Sequence, residues 1–278
     1  MSDTAQATAK SDLPARFAAG LVMIAVAVVA TYVGGWPFRV LAALAASIML
    51  LEWADMHRVH RLWAWLSIAL VAAVLLAGAE YLFPVAANNP AVLEPGDLDL
   101  AWQGFAAIGA AAVLVGLFSR RIRMGWGTLY IGIPAFALVV LNWAWSELVL
   151  WLLIVTWATD IFAYFAGRGI GGPKLAPRIS PNKTWAGLFG GMAGAAVAGW
   201  TAGTLLDVDP AFHFLGAPLG LLAQLGDLYE SAVKRRAGVK DSGRILPGHG
   251  GVLDRLDGLL PVVLAVLAVL VLLSLGRL

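Results

Sequence analysis

The feature that most constrains this 278-residue chain is a recurrence of uncharged apolar stretches, each long enough to cross roughly 30 Å of hydrocarbon. Residues 17–35, 62–79, 100–118, 185–206 and 259–276 read as five such stretches. In lipid a segment must satisfy its own backbone hydrogen bonds, so each is expected to be a helix. Two further segments are interrupted by charge. The one from 37 to 54 contains Arg39, whose apolar stem lets the guanidinium reach a membrane face, and the one from 211 to 229 holds Asp227 near its end. Residues 124–167 exceed one crossing, and the polar break at 142–147 divides them into a hairpin of two helices. The expected fold is all-α: a polytopic integral membrane protein of about nine transmembrane helices. A hydrophobic share of 60% against 13% charged residues, with a mean hydropathy of +0.82, excludes a soluble globular domain.

Charge placement supports that count. If the N-terminus is cytoplasmic, the inner segments carry Lys10 and Arg16; Arg58 and Arg61; Arg120, Arg121 and Arg123; Arg168, Lys174, Arg178 and Lys183; and Lys234, Arg235, Arg236, Lys240, Arg244 and Arg255. Those are 17 of the 19 basic residues, leaving Arg39 and Arg277 outside, where the loops instead carry Glu94, Asp97, Asp99, Glu147, Asp207 and Asp209. Cytoplasmic loops concentrate Lys and Arg, and an eight- or ten-span arrangement misplaces at least one basic loop. Residues 1–16 are expected to be a disordered cytoplasmic tail before an uncleaved first helix, residues 17–150 an N-terminal set of transmembrane helices, and residues 151–278 a transmembrane catalytic half with cytoplasmic-face loops. The predicted location is the cytoplasmic (inner) membrane. A net charge of +2 is too balanced to indicate nucleic acid as a partner, and none is expected.

With no cysteine in the chain, thiolate metal sites, disulfides and cysteine nucleophiles are removed, so any chemistry uses oxygen and nitrogen. Two inner segments carry more charge than topology requires. In the first, residues 160–187, Asp160 lies about 20 Å along its helix from Glu147, still within the inner leaflet, where an unpaired carboxylate is costly. Neutralisation by Arg168 or by a group on another helix is the plainer reading; a place in or beside a polar site is the favoured one. Gly and Pro recur from Gly167 to Pro181, so this stretch cannot be helical and must expose backbone N–H groups beside Lys174, Arg178 and Lys183. Ser180 or Thr184 is placed to cap the following helix, whose N-terminus favours an anion. An ordinary basic loop with a helix cap explains the spacing equally well.

The second segment, residues 226–258, says more. Asp227, Glu230, Ser231 and Lys234 fall on one stripe if the helix continues past the membrane face, and Asp254 and Asp257, three apart with Arg255 between them, face one way at the start of the last helix. Gly248, Gly250 and Gly251 allow a tight turn that brings His249 near both helix ends. Carboxylates gathered by two helices among cations suit a hard divalent ion beside a phosphate, the arrangement that phosphoryl or nucleotidyl transfer uses. A solvated loop with Asp–Arg pairs tying helix ends together is the plainer reading. His57 and His60 with Asp55 mark a membrane boundary rather than a metal site, and the Trp residues at span ends form an interfacial belt. A transporter or lipid flippase with a charged cytoplasmic gate is the competing class, but it calls for polar residues deep in several spans, which are nearly all Ala, Leu, Val, Ile, Gly and Trp.

The stretch from Ser231, Lys234 and Arg235 through Lys240-Asp241-Ser242-Gly243 to Leu246-Pro247-Gly248-His249-Gly250-Gly251 and Asp254-Arg255-Leu256-Asp257 resembles the signature of the phosphatidate cytidylyltransferases. Asp160, Tyr164 and Gly167, and the run from Ser180 through Lys183-Thr184 to Trp185, resemble other segments of that family, so the likeness covers the C-terminal half. The resemblance implies that CTP and phosphatidic acid, a membrane lipid, give CDP-diacylglycerol and pyrophosphate with Mg²⁺, a second, monovalent cation being an alternative stoichiometry, and a homodimer a candidate assembly. Carried over by position, it implies Asp227 and Asp254 as metal ligands, with Asp257 and Asp241 next and Glu230 behind them. It implies Lys183, Lys234, Arg235 and Arg255 as phosphate-holding cations, Lys240 and His249 as further substrate contacts, and Ser180 and Thr184 as support for the nucleotide phosphates. One position departs: the family commonly has Glu where this chain has Ala186, so either that carboxylate is dispensable or Glu230 or Asp160 substitutes for it.

Overall fold

The computed structural model describes the backbone of residues 3–82, 95–245 and 250–275, with side chains over 18–77, 101–245 and 250–273. Helices dominate: α1 (Asp3–Val33), α2 (Gly35–Met56), α3 (Arg61–Leu82), α4 (Pro95–Phe118), α5 (Ile122–Ala144), α6 (Ser146–Gly169), α7 (Trp185–Leu205), α8 (Pro210–His213), α9 (Gly216–Ala237), α10 (Leu253–Leu256) and α11 (Leu259–Leu275). Among the described residues, α2, Ala101–Phe118 within α4, α5 and α6 are long and apolar enough to cross a membrane, and Ala18–Val33, Arg61–Ala77 and Leu259–Leu273 form shorter apolar helices. The chain is therefore helical and membrane-like.

The charge-interrupted stretch from 37 to 54 is α2, and residues 124–167 are two helices, turned at Trp145, whose extended backbone (φ −149°, ψ 83°) lies between Ala144 and Ser146. Three elements differ from expectation. The first helix extends back to Asp3, through a stretch read as a tail; Ala5, Ala7 and Ala9 are good helix formers. The Gly- and Pro-rich stretch before α7 contains two short antiparallel strands, β1 (Lys174–Ala176) and β2 (Ser180–Thr184), which pair the backbone groups that this stretch cannot satisfy by helix. Expected to begin near 211, the next long helix starts only at Gly216, after the short α8, and runs to Ala237, where Gly238 (φ 76°) closes it in the left-handed conformation.

Small residues let the helices approach closely. On α7, a Cβ placed on Gly187 or Gly191 would lie 3.0 Å from the carbonyl oxygen of Ala163 or Thr159 of α6. Gly116 of α4 faces Gly125 of α5 in the same way. Without a water-exclusion force between helices in lipid, such backbone contact is a main source of adhesion. Trp53, Trp151 and Phe136 are fully buried between the helices, and many Leu, Val and Phe side chains face outward, as a lipid-embedded surface requires.

A Cβ on Gly125 would sit 2.6 Å from the carbonyl oxygen of Ala112, which is backbone and cannot yield. Gly125→Val is expected to lower the midpoint of thermal unfolding in detergent by about 5 °C, the consequence of roughly 1–3 kcal/mol of overpacking. Gly109→Ala, which meets nothing within 4 Å, should not lower it.

Candidate active site at the charged end of the bundle

One end of the bundle gathers the polar chemistry. The indole N–H of Trp53, near the C-terminus of α2, donates to the carbonyl of Arg123 at the start of α5 (2.8 Å), and Glu52 accepts the backbone N–H groups of Val252 and Leu253 (2.9 Å each). These bonds set the end of α2, the beginning of α5 and the beginning of α10 at one level. The basic loops after α2 and α4 therefore share that level with the start of α10.

A cavity of about 560 Å³ opens between α6, β2, α7 and α9. Asp160, Tyr164 and Arg168 face it from α6, Lys183 and Thr184 from β2, and Asp227 from α9. Lys183 Nζ lies 2.7 Å from an Asp227 oxygen and 3.4 Å from the backbone carbonyl of Gln224, so β2 is docked against α9 by its lysine. Ser231 Oγ, one turn along, donates to the other Asp227 oxygen (3.2 Å), as the stripe reading of this helix predicts. Thr184 caps α7: its Oγ1 accepts the N–H of Gly187 at 3.0 Å. Arg168 donates to the Tyr164 hydroxyl (2.9 Å) across one turn of α6. Of the two carboxylates that could replace the Glu missing at Ala186, Asp160 lines this cavity, while Glu230 is fully buried elsewhere.

A second cluster adjoins the first along α9. Lys234 Nζ is 2.5 Å from Asp254 Oδ1 and 3.4 Å from Glu230 Oε2. Asp254 also accepts the N–H of Ser242 (3.0 and 3.2 Å to its two oxygens) and of Gly251 (2.8 Å). Burial by itself would raise the Asp254 carboxyl, but the Lys234 ammonium and these backbone donors outweigh it and hold the group below the usual carboxylate range. Gly226, beside Asp227, packs so tightly on the segment after α10 that a Cβ there would be 2.5 Å from the carbonyl oxygen of Asp257. Asp257 in turn accepts the N–H of Gly258 (2.7 Å). The two acidic helix tips thus meet.

The remaining expected residues lie further out. Arg235 is exposed and donates to the carbonyl of Ile179 (3.3 Å), tying α9 to the β-hairpin, whose Ser180 is half-buried at the start of β2. Asp241, Lys240 and Arg255 are exposed around the same end. His249 lies outside the described residues, with Leu246, Pro247 and Gly248. Sequence reasoning missed Gln224, whose side chain donates to the Leu188 carbonyl (3.1 Å), and Glu52. Glu52 had a readable signal, since a carboxylate within an apolar helix is unexplained until a partner is found.

Whether a divalent ion suits these residues can be judged from their donors. The available donors are hard carboxylate oxygens beside cations, and among the described residues no three His, Asp or Glu side chains are gathered into a cage. That is poor for an ion held by protein alone. It fits Mg²⁺, which takes one or two carboxylates and completes its shell with water and substrate phosphates. Asp227, on the cavity wall with Asp160, is the carboxylate best placed. Four hydrogen bonds and ion-pair contacts already occupy the Asp254 oxygens, so an ion that recruits this residue has to displace Lys234.

The profile of the cytidylyltransferase family matches residues 14–273. A protein of Brucella abortus biovar 1 (strain 9-941) named phosphatidate cytidylyltransferase is 37% identical over 265 residues, covering 90% of both chains. Proteins of the same name from Pseudomonas aeruginosa and Haemophilus influenzae are 34% identical over 232 residues (80% of this chain and 83% of theirs) and 44% identical over 119 residues (40% and 41%). The likeness thus extends beyond the C-terminal half into the apolar helices that carry Glu52. By profile and by length of match, the chain belongs to the cytidylyltransferase family.

Proposed function

We propose that this chain transfers a cytidylyl group from CTP to phosphatidic acid, yielding CDP-diacylglycerol and pyrophosphate for phospholipid synthesis, at the cytoplasmic face of an inner membrane that it crosses about nine times with its N-terminus inside. The observation that carries the reading is the Lys183–Asp227 pair on the wall of a cavity at the charged end of an apolar bundle, in a chain of this family. A lipid phosphate and a soluble triphosphate can meet only where the membrane surface and the cytoplasm are both within reach, and the charged end offers that.

In this reaction a phosphatidate oxygen attacks the α-phosphorus of CTP. A new P–O bond forms as the bond from the α-phosphorus to the bridging oxygen breaks, and pyrophosphate departs with that electron pair. The chain has to hold two anions together and neutralise charge on the leaving group. Lys183 and Arg168, both on the cavity wall, serve the phosphates. The N-terminus of α7 behind Thr184 adds favourable potential for an anion. Asp227 and Asp257 would hold Mg²⁺ bound with the nucleotide; when bound, the ion orients the phosphates and neutralises charge developing on them. Asp227 also keeps Lys183 turned into the cavity until a phosphate competes for it. Lys234, fixed by Asp254 and Glu230, supplies a second positive centre one helical turn beyond Ser231.

Protein in liposomes with labelled CTP and phosphatidic acid should form CDP-diacylglycerol, and ATP in place of CTP should give little product. Asp227→Asn is expected to lower kcat by at least about 100-fold while the thermal midpoint stays within a few degrees; near-normal turnover would refute its assignment. Chelation of divalent ions should abolish turnover, and added Mg²⁺ should restore it. Turnover that persists in chelator removes the ion from the scheme.

A further inference from the structure

Glu52 lies in α2, nearly 200 residues before the segment it holds, and is 3% exposed. Its two oxygens collect three donors from that segment: Oε1 accepts the N–H of Val252 (2.9 Å), and Oε2 accepts the N–H of Leu253 (2.9 Å) and the hydroxyl of Ser242 (3.0 Å). The first two are the N–H groups that open α10, which has no side-chain cap of its own. Two glycines make room for the carboxylate. A Cβ on Gly251 would fall 2.6 Å from Oε2, and one on Gly243 would press on Oε1.

The contact continues. Ser242, bound through its hydroxyl to Glu52, donates its backbone N–H to Asp254, and Asp254 holds Lys234. One carboxylate from the N-terminal half therefore holds Ser242 together with Val252 and Leu253 and, through Ser242, fixes the orientation of the acid–base pair between α9 and α10. We propose that Glu52 is a positioning residue for the phosphate- and ion-holding groups of the site. It has no part in bond making, and its role rests on the transfer reaction proposed above. A carboxylate suits the place because all three neighbours are donors; a carboxamide would set an NH₂ group against one or more of them.

The test uses full-length Glu52→Gln and Ser242→Ala in detergent, the second keeping the question open to measurement if the first is poorly folded. Hydrogen exchange at the amides of Ser242, Val252 and Leu253, read without substrate, should be at least about tenfold faster in Glu52→Gln, while α5 and α6 exchange as in the unaltered protein. Unchanged exchange at these amides overturns the anchor whether or not the protein transfers cytidylyl groups. In the liposome assay both variants should raise the KM for CTP and the Mg²⁺ concentration at half-maximal rate by about tenfold, which a smaller fraction of folded protein cannot do. The double variant should be no worse than the worse single one, since both cut the same link. Faster exchange with unchanged KM and unchanged Mg²⁺ dependence would overturn the positioning role. An unaltered protein without cytidylyl transfer would sink the functional reading and leave the exchange result to decide the anchor alone.

Discussion

The contact between Lys234 and Asp254 is the one on which the rest of the site depends. The two side chains are only 11% and 7% exposed, so neither charge has water enough to stand alone. Taking such charges out of solvent is expensive, and removing one partner of a buried pair costs roughly 3–5 kcal/mol because the other is left uncompensated. The fold meets this cost locally: Ser242 and Gly251 donate to Asp254, and Glu230 stands behind Lys234. Along the same contact of α9 with the α10 region, Gly226 seats against Asp257, and its neighbour Asp227 lines the cavity wall.

Assembly of the site draws on distant parts of the chain. The C-terminal half supplies the cavity, with β2 delivering Lys183 and Thr184 and α9 delivering Asp227. The N-terminal helices contribute more than hydrophobic bulk. Glu52 secures Ser242, Val252 and Leu253, and Trp53 ties the same end of α2 to α5 through the Arg123 carbonyl. Two adjacent residues of one helix thus connect the apolar scaffold to the polar end. Glycine interfaces such as that between α6 and α7 keep the helices close enough for short side chains to bridge them.

Much of this was legible in the sequence because a membrane imposes simple rules. Length and hydropathy marked the helical segments, and the polar break near Trp145 marked the turn between α5 and α6. Helical periodicity put Asp227 and Ser231 on one stripe, where they form a hydrogen bond. A cap at Ser180 or Thr184 followed from side-chain chemistry and position, and packing settles it on Thr184. What stayed hidden depends on tertiary approach. Nothing local to residues 174–184 distinguishes an open loop from a two-stranded hairpin, and nothing near Glu52 points to Ser242. The division of labour among the acidic residues was also hidden: Asp227 faces the cavity, whereas Asp254 is taken up by Lys234 and backbone donors, a difference of packing rather than of sequence pattern.

Everything at the site turns on contact between α9 and the α10 region. The chain has no native cysteine, so Ala223→Cys with Gly258→Cys, whose Cβ atoms would lie 3.5 Å apart across this contact with Lys234 and Asp254 left in place, introduces a single thiol pair. Membrane vesicles carrying this double variant can be treated with a short bis-methanethiosulfonate cross-linker, which joins the two thiols through disulfides as sulfinate leaves, and then cleaved by protease between the two positions. Contact between the tips predicts that the fragments remain joined until the linker is reduced. Fragments that separate without reduction, although each thiol reacts with a monofunctional reagent, would contradict it.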